Sequence, residues 1–243
     1  IKEFAPAYFE GLKKENIKVI SVMPCTAKKY EASREELKGQ TDFVLTTYEF
    51  AKMIKSQGID FDKIDEEEAN SPFGQYSGGG TIFGASGGVA EAAVRTAYNM
   101  VTGENLKNLD VVPLRGVDAA SRSKEAIIDI KGKQIKIRVV STLKEAEIAV
   151  REVKEGKADF QMLEVMACPG GCVNGGGQPT GCHNLEIKEE RAKGLYTEDE
   201  NLPVRNSHQN PDIIKLYKEH LEKPGSHKAH ELLHTSYSSK KLQ

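Results

Sequence analysis

The chain has 243 residues, of which 38% are hydrophobic and 29% charged, and its formal net charge is -2 at pH 7. This size and composition fit one large globular domain or two lobes around a shared core. The near-neutral charge, with Lys and Arg interspersed among Asp and Glu, argues against nucleic-acid or anionic-membrane partners, and no apolar run reaches the roughly 18 residues of a membrane span.

Strands and helices are predicted to alternate along the chain. In the first half, apolar runs and helical spacing predict strands at 17–23 and 43–46, a helix at 48–57 and, after a glycine-rich stretch at 77–88, a helix at 89–101. In the second half they predict a strand at 111–114, a hairpin of 126–130 with 134–140, a helix at 142–155 opened by a Thr142–Glu145 capping box, and a strand at 160–166. Polar helices are expected after Pro179, two of them starting at Asn210-Pro211 and Ser226. The alternation predicts an α/β fold.

The cysteines of the chain are distributed as one isolated residue and one group of three. The chain has four cysteines and begins with Ile1, and we interpret it as a fragment of a longer protein whose start could carry a targeting signal. Cys25 stands alone, whereas Cys168, Cys172 and Cys182 share a glycine-rich segment. Four cysteines are too few for a disulfide scaffold of this length. We therefore expect a metal site and a reducing compartment, the cytoplasm, with the periplasm left open.

The segment 164–179 reads EVMACPGGCVNGGGQP and carries the strongest chemical signal. Two thiolates four residues apart, Cys168 and Cys172, can reach two corners of one iron–sulfur cube. The glycines around them let the backbone approach a bulky cluster and point bare N–H groups at an anion. The alternatives are a zinc site or two buried thiols. Zinc sites more often use matched C-x2-C pairs, so this spacing favours an iron–sulfur cluster.

The segment 23–31, MPCTAKKYE, places a second cysteine at the end of a predicted strand. Ligands of α/β sheets commonly bind at that end, which makes Cys25 a candidate ligand. The ammonium group of Lys28, three residues later, would offset the negative charge of a thiolate-bound cluster. The alternative is that Cys25 is a buried thiol and Lys28 a solvated charge.

Together these segments resemble the second and third signature motifs of iron-only (FeFe) hydrogenases. The resemblance extends to 79–95, 114–116, 207–210 and 229–234. It implies a hydrogenase catalytic-domain fold: two lobes of mostly parallel sheet flanked by helices, with the cluster cleft between them. Residues 1–243 would be the C-terminal part of that catalytic domain, and 184–243 its mainly helical C-terminal segment.

The resemblance also implies a cofactor and the residues around it. The family's active site is a 4Fe–4S cube joined through a cysteine sulfur to a di-iron unit that carries carbon monoxide, cyanide and a bridging azadithiolate. By motif position, Cys25 and Cys168 resemble cube ligands, Cys172 resembles the ligand that bridges to the di-iron unit, and Lys28 matches the lysine that hydrogen-bonds a cyanide. The same resemblance places further residues around the cluster: Met23, Met166, Phe83, Gly84 and Gln178.

One motif of the family is missing from this sequence. Its first, TSCCP-like signature supplies the fourth cube thiolate and a proton-relaying cysteine, and Cys182 is a weaker candidate to replace it. We therefore expect an upstream segment of the parent chain, or another chain, to carry that motif, and a ferredoxin- or NAD-linked electron partner. The parent enzyme would oxidise hydrogen and reduce protons reversibly. The alternatives are a non-catalytic iron–sulfur relative, such as an assembly factor or sensor, and an inactive fragment that requires a partner. For Glu31 and Glu164 we expect buried carboxylates that hold loop N–H groups.

Overall fold

The computed structural model describes residues 1–108, 110–117, 122–179 and 184–238. Cys182 lies outside these residues. The strands are β1 Ile20–Met23, β2 Phe43–Thr46, β3 Ser123–Ile130, β4 Lys133–Ser141 and β5 Met162–Met166. The helices are α1 Ala27–Ser33, α2 Thr47–Ser56, α3 Gly78–Thr81, α4 Gly88–Thr102, α5 Leu143–Lys154, α6 Leu185–Asn201, α7 Pro211–Leu216 and α8 His227–Leu233. The chain forms two compact units, one of Ile1–Gln75 with Pro211–Gln243 and one of Tyr76–Asn210.

The first unit is built on a parallel pair of strands. In β1 and β2, Ile20 lies opposite Phe43 and Met23 opposite Thr46. Helix α2 begins with a capping box that the sequence analysis missed: Thr46 Oγ1 accepts from the Glu49 N–H at 3.1 Å, and Glu49 accepts from the Thr46 N–H at 2.8 Å. A small core joins the two ends of the chain, because Phe4 packs with Leu221 and Ala229.

The second unit is built on a three-stranded mixed sheet in the order β3-β4-β5. Strands β3 and β4 form the predicted antiparallel hairpin, and β4 pairs in parallel with β5, with Ser141 opposite Met166. Helix α4 packs on this sheet through Ala90 and Val94, which contact the buried side chains of the hairpin. Two sheets flanked by helices agree with the predicted α/β class.

The predicted strand at 111–114 is wrong. Residues Val112–Leu114 form a 3₁₀ turn with Pro113 in its first positions. Proline has no N–H to donate to a strand ladder and its fixed φ suits the start of a helical turn, which explains the difference. The apolar pattern that suggested a strand comes from Val111 and Leu114, which are both buried in the core of the second unit.

The predicted capping box of α5 is only half formed. Thr142 Oγ1 accepts from the Glu145 N–H at 3.5 Å, while Thr142 itself has a φ of 84°. Its own N–H is directed elsewhere, since it donates to the carbonyl of Met166 at 2.8 Å. The start of α5 is therefore tied to the last residue of β5.

Helices α6, α7 and α8 lie in the described part of the chain after residue 184, and α8 begins at the predicted cap, Ser226. Within the described residues, no helix is both long enough and apolar enough to cross a bilayer.

Candidate metal centre

The structure places the three predicted cysteine ligands at strand ends. Cys25 lies between β1 and α1 in the first unit, and Cys168 and Cys172 lie in the loop after β5 in the second unit. All three are partly exposed thiols that form no disulfide. Because Cys25 belongs to the first unit and the other two cysteines to the second, their convergence on one cluster stays a prediction.

The loop that carries Cys168 and Cys172 is a tight turn. The N–H of Gly171 donates to the Cys168 carbonyl at 3.0 Å, and φ is 82° at Gly170 and 90° at Gly171. Side-chain-bearing residues rarely adopt these angles, so the two glycines are required by the turn. The Asn174 side-chain amide closes the loop from the other side by donating to the Pro169 carbonyl at 2.9 Å.

This cysteine loop packs directly on the backbone of residues 84–86. The Ser86 N–H donates to the Gly170 carbonyl at 3.1 Å. A Cβ on Gly171 would lie 2.5 Å from the Ser86 nitrogen and 3.0 Å from the Gly84 oxygen, so no larger residue fits there. The structure therefore places Gly84, which was predicted to lie near the cluster, beside the turn that leads into Cys172. The neighbouring Phe83 side chain is 45% exposed rather than buried in the core.

The predicted role of Glu164 as a buried holder of N–H groups is confirmed. Its carboxylate, on β5 four residues before Cys168, accepts hydrogen bonds of 2.7 Å from the N–H groups of Gly87 and Ala90. These donors belong to the N-terminal end of α4, where the helix dipole also favours a negative charge. The same prediction is wrong for Glu31, which is only partly buried and forms an ion pair with Lys28.

Lys124 contributes to the loop packing and was missed from the sequence. Its ammonium group donates to the carbonyls of Ser86 and Gly116 at 2.8 and 3.0 Å, and the residue is only 8% exposed. It thereby binds the Ser86 carbonyl, while the Ser86 N–H binds Gly170. The signal was present in the strand alternation, because Lys124 shares a face of β3 with buried Ala126.

A side chain of α6 supports the rest of the cysteine loop. The Arg191 guanidinium donates to the carbonyls of Val173 and Pro179 at 3.2 and 3.1 Å. Gln178, predicted to contact the cofactor, donates through its side-chain amide to the Cys172 carbonyl at 3.4 Å. In this structure Gln178 therefore holds the backbone of a predicted ligand, and its contact with a cofactor stays a prediction.

The second unit also contains a ring of six charged side chains that was not predicted from the sequence, and three of its members, Glu91, Arg95 and Asp199, are fully buried. Arg95 binds Asp199 with two hydrogen bonds of 2.8 Å, and it binds Glu91 at 2.6 Å. The ring alternates in sign and its members follow one another in the order Glu91, Arg95, Asp199, Arg205, Asp110 and Arg115, which returns to Glu91.

The ring is an ion-pair network rather than a metal site. The carboxylates of Glu91, Asp110 and Asp199 offer ligand atoms within 4.8 Å of one another, but guanidinium groups already occupy them. Burial alone would raise the pKa of the Asp199 carboxyl, yet its hydrogen bonds from Arg95 and Arg205 hold that pKa below the ordinary value. All three acids are therefore matched by three bases.

In the first unit, two further predicted site residues share one groove. Met23, the last residue of β1, and Lys28, in the first turn of α1, line it together with Val44. Lys28 is half-exposed and paired with Glu31, while its neighbour Lys29 pairs with Glu49 at 2.8 Å. The contact of Lys28 with a cyanide ligand stays a prediction.

The donor set in these two places fits an iron–sulfur cluster. Thiolates are the ligands of such clusters, and the chain presents three of them in partly exposed turns rather than in the core. The glycine turn of the cysteine loop leaves its backbone without side chains at Gly170 and Gly171. The fourth ligand of a cube is not among the described cysteines.

Two parts of the chain match known protein families. Residues 1–176 match the family described as iron only hydrogenase large subunit, C-terminal domain, and residues 185–240 match the iron hydrogenase small subunit family.

Individual relatives include hydrogenases and an assembly factor. The chain is 43% identical over 231 residues to the NADP-reducing hydrogenase subunit HndD of Solidesulfovibrio fructosivorans, an alignment that covers 93% of this chain and 39% of that protein. It is 30% identical over 242 residues to the cytosolic Fe-S cluster assembly factor narfl of Xenopus tropicalis, covering 94% of this chain and 49% of that protein. The chain thus spans less than half the length of these curated relatives.

The fold has close counterparts among solved structures. The apo [FeFe]-hydrogenase HydA1 variant C377H from Chlamydomonas reinhardtii superposes with a TM-score of 0.77 at 34% identity, and the alignment covers 97% of this chain and 66% of that one. The fold class predicted from the sequence motifs is therefore confirmed.

Proposed function

This chain belongs to the iron-only hydrogenase family, and on that premise we propose that it is part of an enzyme that interconverts H2 with two protons and two electrons. One observation carries the proposal. In each unit a parallel strand ends in a methionine, Met23 or Met166, and a cysteine follows two residues later, Cys25 or Cys168. The same methionine-then-cysteine arrangement at the carboxyl end of a strand thus occurs twice, at the sheet edge where α/β proteins bind ligands.

The cofactor in this proposal is a 4Fe–4S cube joined to a di-iron unit with carbon monoxide, cyanide and azadithiolate ligands, which supplies the redox chemistry when bound. Cys25 and Cys168 would bind the cube, and the Cys172 thiolate would link it to the di-iron unit. The Lys28 ammonium would donate a hydrogen bond to a cyanide nitrogen and offset negative charge. The side chains of Met23, Met166 and Phe83 would exclude water from the di-iron unit, with Gly84 at its wall and Gln178 holding the cysteine loop.

We also propose that a further polypeptide segment completes the site. A cube requires four ligands, and the family match provides three in this chain. The first unit has a surface suited to such a segment, because Ile20 and Phe43, paired on one face of its sheet, are 59% and 58% exposed. Parallel sheets are normally covered on both faces. The segment would be an upstream part of the parent chain, or another chain, carrying the first cysteine motif.

The electron partner and the compartment follow as parts of the same proposal. We propose a ferredoxin- or NAD-linked electron partner. The few cysteines, all thiols among the described residues, are consistent with a cytoplasmic location for the parent protein.

The experiment compares the chain alone with the chain joined to a segment carrying the first motif, both matured with the cluster. Hydrogen evolution from a reduced dye and iron content per chain are the readouts. We expect no hydrogen from the chain alone, and turnover with a full complement of iron from the joined form. Cys172→Ser in the joined form should abolish turnover, whereas Cys182→Ser should not. Full activity from the chain alone would refute the proposed ligand set.

A second candidate is an iron–sulfur assembly factor, favoured by the 30% identity to narfl across 94% of this chain. The same experiment separates the two functions. An assembly factor would retain cube iron in the joined form without di-iron and without hydrogen turnover. The higher identity to HndD, 43%, and the presence of Lys28, Met23 and Met166 support the hydrogenase.

A further inference from the structure

An HExxH sequence, HELLH, occupies positions 230–234, with His230 on α8 and His234 directly after its last residue, Leu233. A spacing of four residues places two imidazoles on the same helical face, the arrangement that binds Zn²⁺ in several metalloenzymes. His234 is the C-cap of this helix and has an extended backbone, with φ -116° and ψ 156°. Its N–H still donates to the His230 carbonyl at 3.1 Å, which holds it against the last helical turn. The two ring centroids are 4.6 Å apart and the ring planes are inclined by 64°.

Both imidazoles have nitrogens available for a ligand. His230 and His234 are exposed, and among the described residues neither ring makes a hydrogen bond or an ion pair. Other histidines of the chain differ. His208 bonds Thr96 and Asn105 through its two ring nitrogens at 3.2 and 3.0 Å, and His220 bonds the Tyr8 hydroxyl at 3.1 Å.

Helix α8, which carries His230 and ends directly before His234, is fixed in place. Ser226 caps it by accepting from the Ala229 N–H at 3.0 Å, and Ala229, 3% exposed, packs against Phe4 and Leu221. The buried Ala229 side anchors α8 to its unit, while the histidines point outward. A third histidine, His227, lies one turn earlier on the same face and lines a surface groove with His230 and Glu231.

We propose that His230 and His234 bind a divalent transition-metal ion, with Zn²⁺ as the chemically best match. Neutral imidazole is a common ligand for Zn²⁺, Ni²⁺ and Cu²⁺, and tetrahedral Zn–N bonds of about 2.0–2.1 Å need the two nitrogens only about 3.4 Å apart. The His230 and His234 ring centroids are 4.6 Å apart, so rotation of these exposed side chains can bring one nitrogen of each ring to a separation of about 3.4 Å. Water, or His227 after a rotamer change, completes the coordination.

The site is structural rather than hydrolytic. Catalytic zinc sites hold the ion with three protein ligands in a water-excluding cleft. In the described part of the chain no third acidic, cysteine or histidine side chain lies with this pair in ligand geometry, and Glu231 is exposed. A bound ion would instead cross-link the last turn of α8 and stabilise a helix of only 7 residues.

The test is a Zn²⁺ titration by calorimetry near neutral pH on the full chain after its thiols are alkylated with iodoacetamide, which removes the cysteine ligands. We expect one Zn²⁺ per chain. His230→Ala and His234→Ala should each weaken binding by more than about tenfold, which is at least the cost of losing a supporting group at a metal site. Lys228→Ala, exposed on the same helix, is the matched control and should bind as the unaltered chain does.

Three results would overturn the proposal. They are absence of binding to the alkylated chain, unchanged affinity in His230→Ala, and a stoichiometry of one ion per two chains. Circular dichroism of each variant checks its fold, which exposed substitutions should not alter. Alkylation removes the iron–sulfur ligands beforehand, so the outcome does not depend on the hydrogenase proposal.

Discussion

The carboxylate of Glu164 accepts a hydrogen bond of 2.7 Å from the backbone N–H of Gly87. This contact joins β5, the strand that leads into Cys168, to the start of α4, which follows the segment of Phe83 and Gly84. Two parts of the predicted site that lie more than 70 residues apart in sequence are thus fixed to each other through one buried side chain.

Glu164→Gln should destabilise the chain. Glutamine keeps one acceptor but turns an NH₂ group toward an N–H donor, and the charge at the helix N-terminus is lost. The expected decrease in unfolding free energy is about 1.5–3 kcal/mol, measured by urea denaturation. Glu189→Gln, exposed on α6, is the control and should change stability little. Equal midpoints for the two variants would contradict the role assigned to Glu164.

Gly171→Ala should cost more than Gly156→Ala. Both glycines have positive φ, 90° and 70°, so both variants carry the same kind of backbone strain. Only at Gly171 would the new Cβ meet another backbone, 2.5 Å from the Ser86 nitrogen, whereas nothing lies within 4 Å at Gly156. We expect an extra loss of about 1–3 kcal/mol at Gly171 in urea denaturation. If the two variants lose similar amounts of unfolding free energy, the cysteine loop and Ser86 are not in close contact.

Arg95→Met should be strongly destabilising. The substitution leaves the carboxylates of Glu91 and Asp199, both fully buried, without their shared guanidinium. Removing one partner of a buried ion pair costs about 3–5 kcal/mol. Arg151→Met, at an exposed position of α5, serves as the matched control. A small effect of Arg95→Met on the urea midpoint would mean that the remaining ring compensates for its loss.

The ring also predicts how stability depends on pH. The pKa of Asp199 is lower in the folded chain than its ordinary value of about 3.9. Above about pH 3.9 the ionised carboxyl therefore contributes its full stabilisation of the fold. This contribution is lost as the pH falls from about 3.9 through the lower pKa of the folded state. The unfolding free energy should therefore decrease on acidification below about pH 4. In Asp199→Asn the decrease should be shallower, which urea denaturation at several acidic pH values measures. An unchanged slope would exclude Asp199 as a contributor.

Lys28→Ala should impair retention of the di-iron unit when the chain is matured together with the segment that carries the first cysteine motif. The expected cause is loss of the ammonium that offsets negative charge and donates to a cyanide ligand. Iron content and hydrogen evolution are the readouts. Lys29→Ala is the neighbouring control, since Lys29 pairs with Glu49 rather than Glu31. Normal turnover in Lys28→Ala would show that its charge is dispensable.

Prediction from the sequence succeeded where the signal is local. Two strand-like segments on either side of Lys131-Gly132-Lys133 identified the hairpin of β3 and β4, and a serine before a helical pattern identified the cap of α8. It failed at Val112–Leu114, where Val111 and Leu114 are buried like strand residues but Pro113 starts a 3₁₀ turn. The family motifs indicated the fold, which the solved structures confirm, and indicated the site residues, which stay predictions.

The sequence by itself determined the cysteine pattern, the order of most strands and helices, and the family, because each depends on residues close together in the chain. Only the tertiary structure decided which charged side chains are buried. Glu91, Arg95 and Asp199 look like ordinary helix surface residues, yet all three are fully buried. Burial of a charge depends on a partner of opposite sign from a distant segment, here more than 100 residues away for Arg95 and Asp199. No local pattern records such a pairing.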